Sequence, residues 1–209
     1  MNNIVVTFQR QFGSGGKTIG AALAKELGIN FYSREILRMA SDDSGIKEEL
    51  FNEADEKLQN GSIFGVSTHI YDGQLISPDK GNFVSAENLF YYQAKIIKEL
   101  AEKESCVIVG RCADFVLRDN PNAISVFVHA PKEYCLEKAG ERVSQKGKEL
   151  EKFVAKTDKY RGDYYHYYTG REWEDARNYD LCIDSSKLGF EKAGEVIKEY
   201  MKVRFNHLP

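Results

Sequence analysis

The chain has 209 residues, 42% of them hydrophobic, and a formal net charge of −3. This length favours one domain with a single large core, and the mildly acidic charge argues against a general binder of nucleic acid or anionic membranes. No apolar run approaches the length of a membrane span and no secretory signal pattern is present, so we expect a cytoplasmic protein.

The first predicted element is a buried strand at the apolar run Ile4–Phe8. It is followed by the glycine-rich segment Phe12–Thr18 and by a helical pattern that ends near Gly28. This order is the context in which a phosphate-binding loop forms, because glycines let several backbone N–H groups point at one anion. Lys17 would then reach the terminal phosphates of a nucleotide, and the Thr18 hydroxyl would bind magnesium.

The loop departs at one place from the pattern G-x-x-x-x-G-K-[ST], since Gln11 stands where the leading glycine is expected. The alternative is a glycine-rich strand-to-helix turn with a solvated lysine. The flanking strand and helix favour the phosphate site. We therefore assign nucleotide binding to six consecutive residues, Gly13, Ser14, Gly15, Gly16, Lys17 and Thr18.

Further along the chain, apolar runs of strand length alternate with helical patterns. The predicted strands are 30–32, 106–110, 124–128 and 181–183, and the predicted helices include 34–40, 47–58, 85–103, one that begins near Pro131, and 190–203. Compact apolar runs are typical of parallel strands that are buried on both faces. The alternation predicts a doubly wound α/β fold with a five-stranded parallel sheet.

The four cysteines show no C-x-x-C spacing, and no paired histidines lie near them. We therefore expect neither a zinc site nor a disulfide framework. Cys106 and Cys182 lie in apolar runs and are predicted to be buried free thiols.

Four segments carry a resemblance to a known family: QRQFGSGG at 9–16, FYSREIL at 31–37, VIVGRCAD at 107–114 and YDLCIDSS at 179–186. On these segments the chain resembles the cytidylate kinase-like family, a branch of the P-loop nucleoside monophosphate kinases. The resemblance implies a P-loop NTPase fold, ATP and Mg²⁺ as cofactors, and small-molecule nucleotides as substrates. It also implies one kinase domain with a core at about 1–40, 84–145 and 178–209, an acceptor-binding insert at about 41–83, and a helical lid at about 146–177.

Two family elements suggest the acceptor site. Cytidylate kinases carry D-S-G-x-x-Y-R after the second strand, and Ser33 and Arg38 fall on its acceptor-binding serine and arginine. They also carry D-G-R-D after the third strand, where this chain has Val109–Cys112, so Arg111 is retained and both acids are lost. Asp114 is interpreted either as a substitute contact to the acceptor or as an ordinary acid at a helix N-terminus.

The segment 156–171 resembles the lid of these kinases. Arginines on a lid suit phosphoryl transfer, since they are planar, always charged and able to bind two oxygens at once. The resemblance implies a catalytic role for Arg161, beside Lys17 and Arg111, and substrate contacts for Lys159 and Arg171. The tyrosines of this segment recur at helical spacing and are predicted to pack on the core.

Three functional hypotheses remain open at this stage. The first is transfer of the γ-phosphoryl group of ATP to a nucleoside monophosphate, with CMP or dCMP the leading acceptor. The second is a kinase with a different small acceptor, which the two missing acids favour. The third is a catalytically silent ATP-binding regulatory module.

Overall fold

The computed structural model describes residues 3–59 and 68–209, of which 55–59 are described by their backbone alone. Its sheet contains five parallel strands in the order β2-β3-β1-β4-β5. The strands are β1 Val5–Arg10, β2 Asn30–Tyr32, β3 Cys106–Val109, β4 Ala123–His129 and β5 Leu181–Asp184. The predicted five-stranded parallel sheet is confirmed, each strand within two residues of its predicted end.

Helices follow or connect the strands on both faces of the sheet. They are α1 Gly16–Leu27, α2 Glu35–Ser44, α3 Glu48–Gln59, α4 Ala86–Lys103, α5 Ala113–Val116, α6 Lys132–Gly140, α7 Gly147–Thr169 and α8 Ser185–Phe205. Part of the predicted acceptor-binding insert, residues 60–67, lies outside the described residues. None of the helices in the described ranges is long and apolar enough to cross a membrane.

The core consists of two hydrophobic layers, one on each face of the sheet. On one face, α1 and α8 contribute the fully buried Ile19 and Ile197. On the other face, α2, α4 and α7 contribute Ile36, Phe90 and Tyr168. This arrangement buries the strands on both sides and leaves their carboxyl ends open at one edge.

The second half of α7 belongs to the core. Tyr164, Tyr165, Tyr167 and Tyr168 are buried, and the ring of Tyr168 stacks on Phe90 with centroids 3.9 Å apart. The packing of the tyrosine stripe is confirmed. The second half of α7 is thus packed against the core, and the lid at about 146–177 stays a prediction.

Two local differences from the predictions have simple causes. Helix α8 begins at Ser185, since the Asp184 side chain accepts a hydrogen bond from the Ser186 N–H, and a kink at Gly189 (φ 71°) separates its first turn from the rest. Cys106 is buried as predicted, but Cys182 is exposed, because β5 is an edge strand. The prediction for Cys182 was therefore wrong.

Candidate active site

The candidate site lies at the carboxyl edge of the sheet, where open α/β sheets bind their ligands. Strands β1 and β3 are neighbours, and Phe8 pairs with Val109. The loop that follows β1 and the turn that follows β3 therefore leave the sheet side by side. These two segments carry the predicted phosphate loop and Arg111.

Glycine is required at two loop positions. Gly13 and Gly15 have φ of +87° and +83°, which L-residues rarely adopt. A Cβ at Gly13 would lie 2.1 Å from the Cys135 carbonyl oxygen, and one at Gly15 would lie 2.2 Å from the Phe190 ring. The loop thus closes tightly between α6 and α8.

The backbone of the loop offers unpaired donors to a ligand. Within residues 3–59 and 68–209, no acceptor receives a hydrogen bond from the N–H groups of Gly15–Thr18, and no side chain caps the start of α1. These donors carry the positive end of the helix dipole, so they fit a phosphate anion. The Ser14 hydroxyl instead lies 2.9 Å from the carbonyl oxygens of Gln11 and Val128, where it supports the loop from below.

We expect Gly13→Ala to lower the melting temperature by several degrees and to weaken ATP binding strongly. The new methyl group would meet the backbone of Cys135, and the left-handed backbone would be strained. Gly28→Ala is the matched control, because Gly28 has φ +68° but no atom within 4 Å of an added Cβ. Thermal unfolding and calorimetric ATP titration compare the two; equal effects would contradict the close-packed loop.

The Thr18 hydroxyl, the predicted magnesium ligand, already has a hydrogen-bond partner in this structure. It accepts a hydrogen bond of 2.9 Å from Arg142 Nη2, in the turn after α6. Among the described residues that line the adjoining cleft, none is an aspartate or glutamate. Mg²⁺ is usually held by carboxylates and substrate phosphates together. The chain thus fits nucleotide phosphates better than it fits the metal, for which it offers the Thr18 hydroxyl.

Beside the loop lies a cleft of about 630 Å³. Its wall is rich in cations, namely Lys17, Arg10, Arg34, Arg111 and Arg161, together with the polar or aromatic residues Gln9, Ser33, Thr157, Tyr160, Tyr164 and Tyr165. The structure thus brings four predicted site residues, Lys17, Ser33, Arg111 and Arg161, to one cleft. Its charge suits ligands that carry several negative charges.

Arg161 links α7 to the phosphate loop. Its Nη1 atom donates to the Arg10 carbonyl and to Asp158 Oδ1, both at 3.0 Å, and the Asp158 carboxylate accepts a hydrogen bond from the Phe12 N–H. Burial lowers the pKa of Arg161, and the Asp158 charge opposes that shift. Burial also raises the pKa of Asp158 despite the neighbouring guanidinium. The arrangement places the Arg161 guanidinium within reach of the loop.

Arg111 is presented by a strained turn. Gly110, Arg111 and Cys112 have φ of 81°, 59° and 51°, three consecutive left-handed residues of which two are not glycine. Such conformations cost about 1–3 kcal/mol each and persist where the surroundings enforce them. The turn places Arg111 in the cleft wall, beside the segment that follows β1.

Three other predicted substrate-binding residues do not line the cleft. Arg38 lies on the exposed face of α2, and Lys159 forms an ion pair with Asp163 on the far side of α7. Arg171 stacks on the Phe115 ring with its guanidinium carbon 5.0 Å from the centroid, in a different pocket. The helix phase and this stacking direct the three side chains to other surfaces, and their predicted contacts to a substrate stay predictions.

Asp114 lies in the first turn of α5, as the interpretation of an acid at a helix N-terminus predicts. Its side chain is 8% exposed, and its two oxygens accept hydrogen bonds from Gln9 Nε2 at 2.9 Å and from the Tyr165 hydroxyl at 2.7 Å. Gln9 Oε1 in turn accepts from the indole of Trp173. Burial raises the pKa of Asp114. The residue thus holds two side chains that line the cleft, and its interpretation as a contact to the acceptor stays a prediction.

We therefore expect Asp114→Ala to reduce the free energy of unfolding by about 1–3 kcal/mol, because the buried donors of Gln9 and Tyr165 lose their acceptor. Affinity for ATP should change little. Chemical denaturation and calorimetric titration measure the two quantities. A variant with wild-type stability and impaired acceptor use would restore the substrate-contact interpretation.

Sequence reasoning missed two cationic residues of the cleft, Arg10 and Arg34. Both lie inside segments that were singled out, one in the loop motif and one in the element after β2. Their position at the carboxyl ends of β1 and β2 was the available signal.

Comparisons with known proteins were consistent with this geometry. The model of the cytidylate kinase-like family matches residues 5–187. A crystal structure of an uncharacterized protein from Eubacterium ventriosum is 29% identical, with a TM-score of 0.70 and coverage of 96% of this chain and 99% of that chain. The comparison with curated proteins found no match.

Two more distant structures share the fold. Shikimate kinase from Bacteroides thetaiotaomicron is 15% identical, with a TM-score of 0.53 and coverage of 95% of this chain and 98% of that chain. The YorR protein from Bacillus subtilis, in complex with phosphorylated GDP, is 12% identical, with a TM-score of 0.50 and coverage of 97% and 98% respectively. At these identities the likeness concerns the P-loop kinase architecture alone.

Proposed function

The chain belongs to the cytidylate kinase-like family, and on that premise we propose that it is an ATP-dependent phosphotransferase. It would move the γ-phosphoryl group to a small phosphorylated acceptor, with the nucleoside monophosphates CMP and dCMP as leading candidates. The observation that carries the proposal is the open phosphate loop beside a cleft that is lined by five cations.

The chemistry follows from the charge of the transition state. Phosphoryl transfer spreads negative charge over three equatorial oxygens, so catalysis consists mainly of positioning and electrostatic stabilisation. The N–H groups of Gly15–Thr18 would hold the donor phosphates, and Lys17 would contact the terminal phosphate. Arg161 would approach the transferred group from α7, while Arg111 would hold the acceptor from the turn after β3.

Magnesium, when bound with ATP, would neutralise part of the phosphate charge, and Thr18 is the residue proposed to bind it. In this structure the Thr18 hydroxyl accepts a hydrogen bond from Arg142. This contact has to open, or to share the oxygen, when the metal arrives.

A second candidate is a kinase with a non-nucleotide acceptor. It is favoured by Val109 and Cys112, which occupy the positions of the two family acids, and by the lack of a carboxylate among the described cleft-lining residues. Without a carboxylate, the described part of the cleft wall offers no acidic group to accept a hydrogen bond from the amino group of a base. Phosphate capture would then determine affinity more than base recognition does.

An ADP-release assay over four acceptor sets tests the proposal: nucleoside monophosphates, nucleosides, other phosphate monoesters, and water alone. Turnover with CMP or dCMP supports the leading candidate, and turnover with another phosphate monoester supports the second. Turnover with a nucleoside would keep the phosphotransferase but exclude a phosphorylated acceptor. ATP binding without any turnover would overturn the proposal and point to a regulatory module. The Lys17→Ala protein serves as the control for ADP release that does not depend on the phosphate loop.

A further inference from the structure

Arg10, the last residue of β1, is a cation of the cleft without an assigned role. Its side chain extends from the phosphate loop toward the turn after β3. A Cβ added at Gly16 would lie 2.5 Å from Arg10 Cβ, and one added at Gly110 would lie 3.0 Å from Arg10 Nη1. The absence of side chains at these two glycines leaves room for the arginine. Its guanidinium therefore lies next to the turn that carries Arg111.

The guanidinium has no hydrogen-bond or ion-pair partner in the part of the chain that the structure describes, although the residue is partly buried in the cleft wall. Its backbone carbonyl accepts a hydrogen bond from Arg161, so a second guanidinium is close. Burial and the charges of Arg161 and Arg111 lower the pKa of Arg10 to about 9, and Asp158 partly offsets them. A charge that is shielded from water is normally paired with an opposite charge. The unpaired guanidinium of Arg10 is therefore suited to bind an anionic ligand.

We propose that Arg10, together with Arg111 and Arg161, forms the binding site for the acceptor's own phosphate group, so that the acceptor is a phosphate monoester. This inference rests on the proposed function. It keeps Arg111 and assigns to Arg10 the role that the family resemblance implies for Arg38, which lies on the exposed face of α2.

The direction of the side chain distinguishes the acceptor from the donor site. The unpaired N–H groups that fit the donor phosphates lie at Gly15–Thr18, whereas Arg10 Nη1 lies beside Gly110 on the β3 side. A guanidinium there can donate two parallel hydrogen bonds to a phosphate, and Lys cannot reproduce this geometry. Arg10 would thus lie between the terminal phosphate of ATP and the phosphate of the acceptor, which have to be aligned for transfer.

The test measures binding to the protein saturated with AMP-PNP, which fills the donor site. CMP, cytidine and inorganic phosphate are titrated into the wild type, Arg10→Gln, Arg10→Lys and Arg38→Gln. Arg177→Gln is the charge-matched control, since Arg177 is 89% exposed and pairs with Asp175. A charge-assisted contact of about 1.5–3 kcal/mol corresponds to a change in Kd of roughly 10- to 100-fold.

We expect Arg10→Gln to weaken CMP and phosphate binding by that factor, with little change in the Kd of AMP-PNP. Cytidine should bind weakly to every variant, Arg10→Lys should be intermediate, and Arg38→Gln should resemble Arg177→Gln. The ligand-free Arg10→Gln protein should melt at the same temperature as the wild type or higher, because an unpaired enclosed charge is removed. If Arg10→Gln fails to fold, Arg10 is structural and the proposal is overturned.

Other results also overturn it. An equal loss of AMP-PNP affinity would assign Arg10 to the donor site, and unchanged phosphate binding would remove it from both sites. Absence of phosphate and CMP binding in the saturated wild type would contradict the site itself. Intact phosphate binding without turnover contradicts the proposed kinase function alone, whereas turnover on an unphosphorylated acceptor contradicts this inference alone.

Discussion

Replacing Lys17 by alanine is expected to lower kcat by about 10²–10³-fold, as the loss of one preorganised charge contact to the transferred group does in other enzymes. Lys17 is exposed in the cleft at the start of α1. Its removal should therefore leave the melting temperature nearly unchanged. The measurement is ADP release with the acceptor identified by the screen, beside a thermal unfolding curve.

Lys25→Ala is the matched control, because Lys25 is an exposed lysine in the last turn of the same helix. It changes the net charge equally but lies away from the loop. Wild-type turnover in a folded Lys17→Ala protein would contradict the phosphate-site assignment.

Arg161→Ala is expected to reduce kcat by about 10³-fold or more, in the range that arginines acting on a transferred phosphoryl group contribute. It should also reduce stability, because Asp158 is left as an enclosed carboxylate without its guanidinium. Stability and catalysis must therefore be separated. The double variant Arg161→Ala with Asp158→Asn removes the unpaired charge.

The double variant should regain much of the lost melting temperature while kcat stays low. Lys156→Ala, an exposed change on the same helix, controls for loss of a positive charge. Recovery of activity together with stability would show that Arg161 acts only by supporting α7, and would remove it from the catalytic residues.

The fold could be predicted from the sequence to a large extent because its signals are local. Apolar runs such as Cys106–Val109 are strands that are buried on both faces, and their alternation with helices leaves few topologies. The turn before α5 was not predicted, since Arg111 and Cys112 adopt left-handed conformations that no propensity indicates. After that turn Asp114 accepts a hydrogen bond from Tyr165.

The site was less predictable because it depends on which way side chains point. Lys159 and Arg161 are two positions apart on α7, so their directions differ by about 200° around the helix axis. The sequence names both residues as candidates, and the buried tyrosine stripe determines that Arg161 faces the loop. Arg10 was missed because an arginine at a strand end is commonly solvated. The space for its side chain depends on Gly16 and on Gly110, and Gly110 is distant in sequence.

The hydrogen bond between Trp173 and Gln9 also provides an intrinsic fluorescence signal for ligand binding. Trp173 is the single tryptophan of the sequence, 4% exposed, with its ring edge-on to Phe127 at 5.3 Å between centroids. Its indole N–H donates to Gln9, whose side chain lines the cleft. Emission excited selectively in this indole should therefore be blue-shifted in the free protein, and it should respond when a ligand enters beside Gln9. Nucleotide and acceptor titrations can then be followed without a label, on one chromophore per chain.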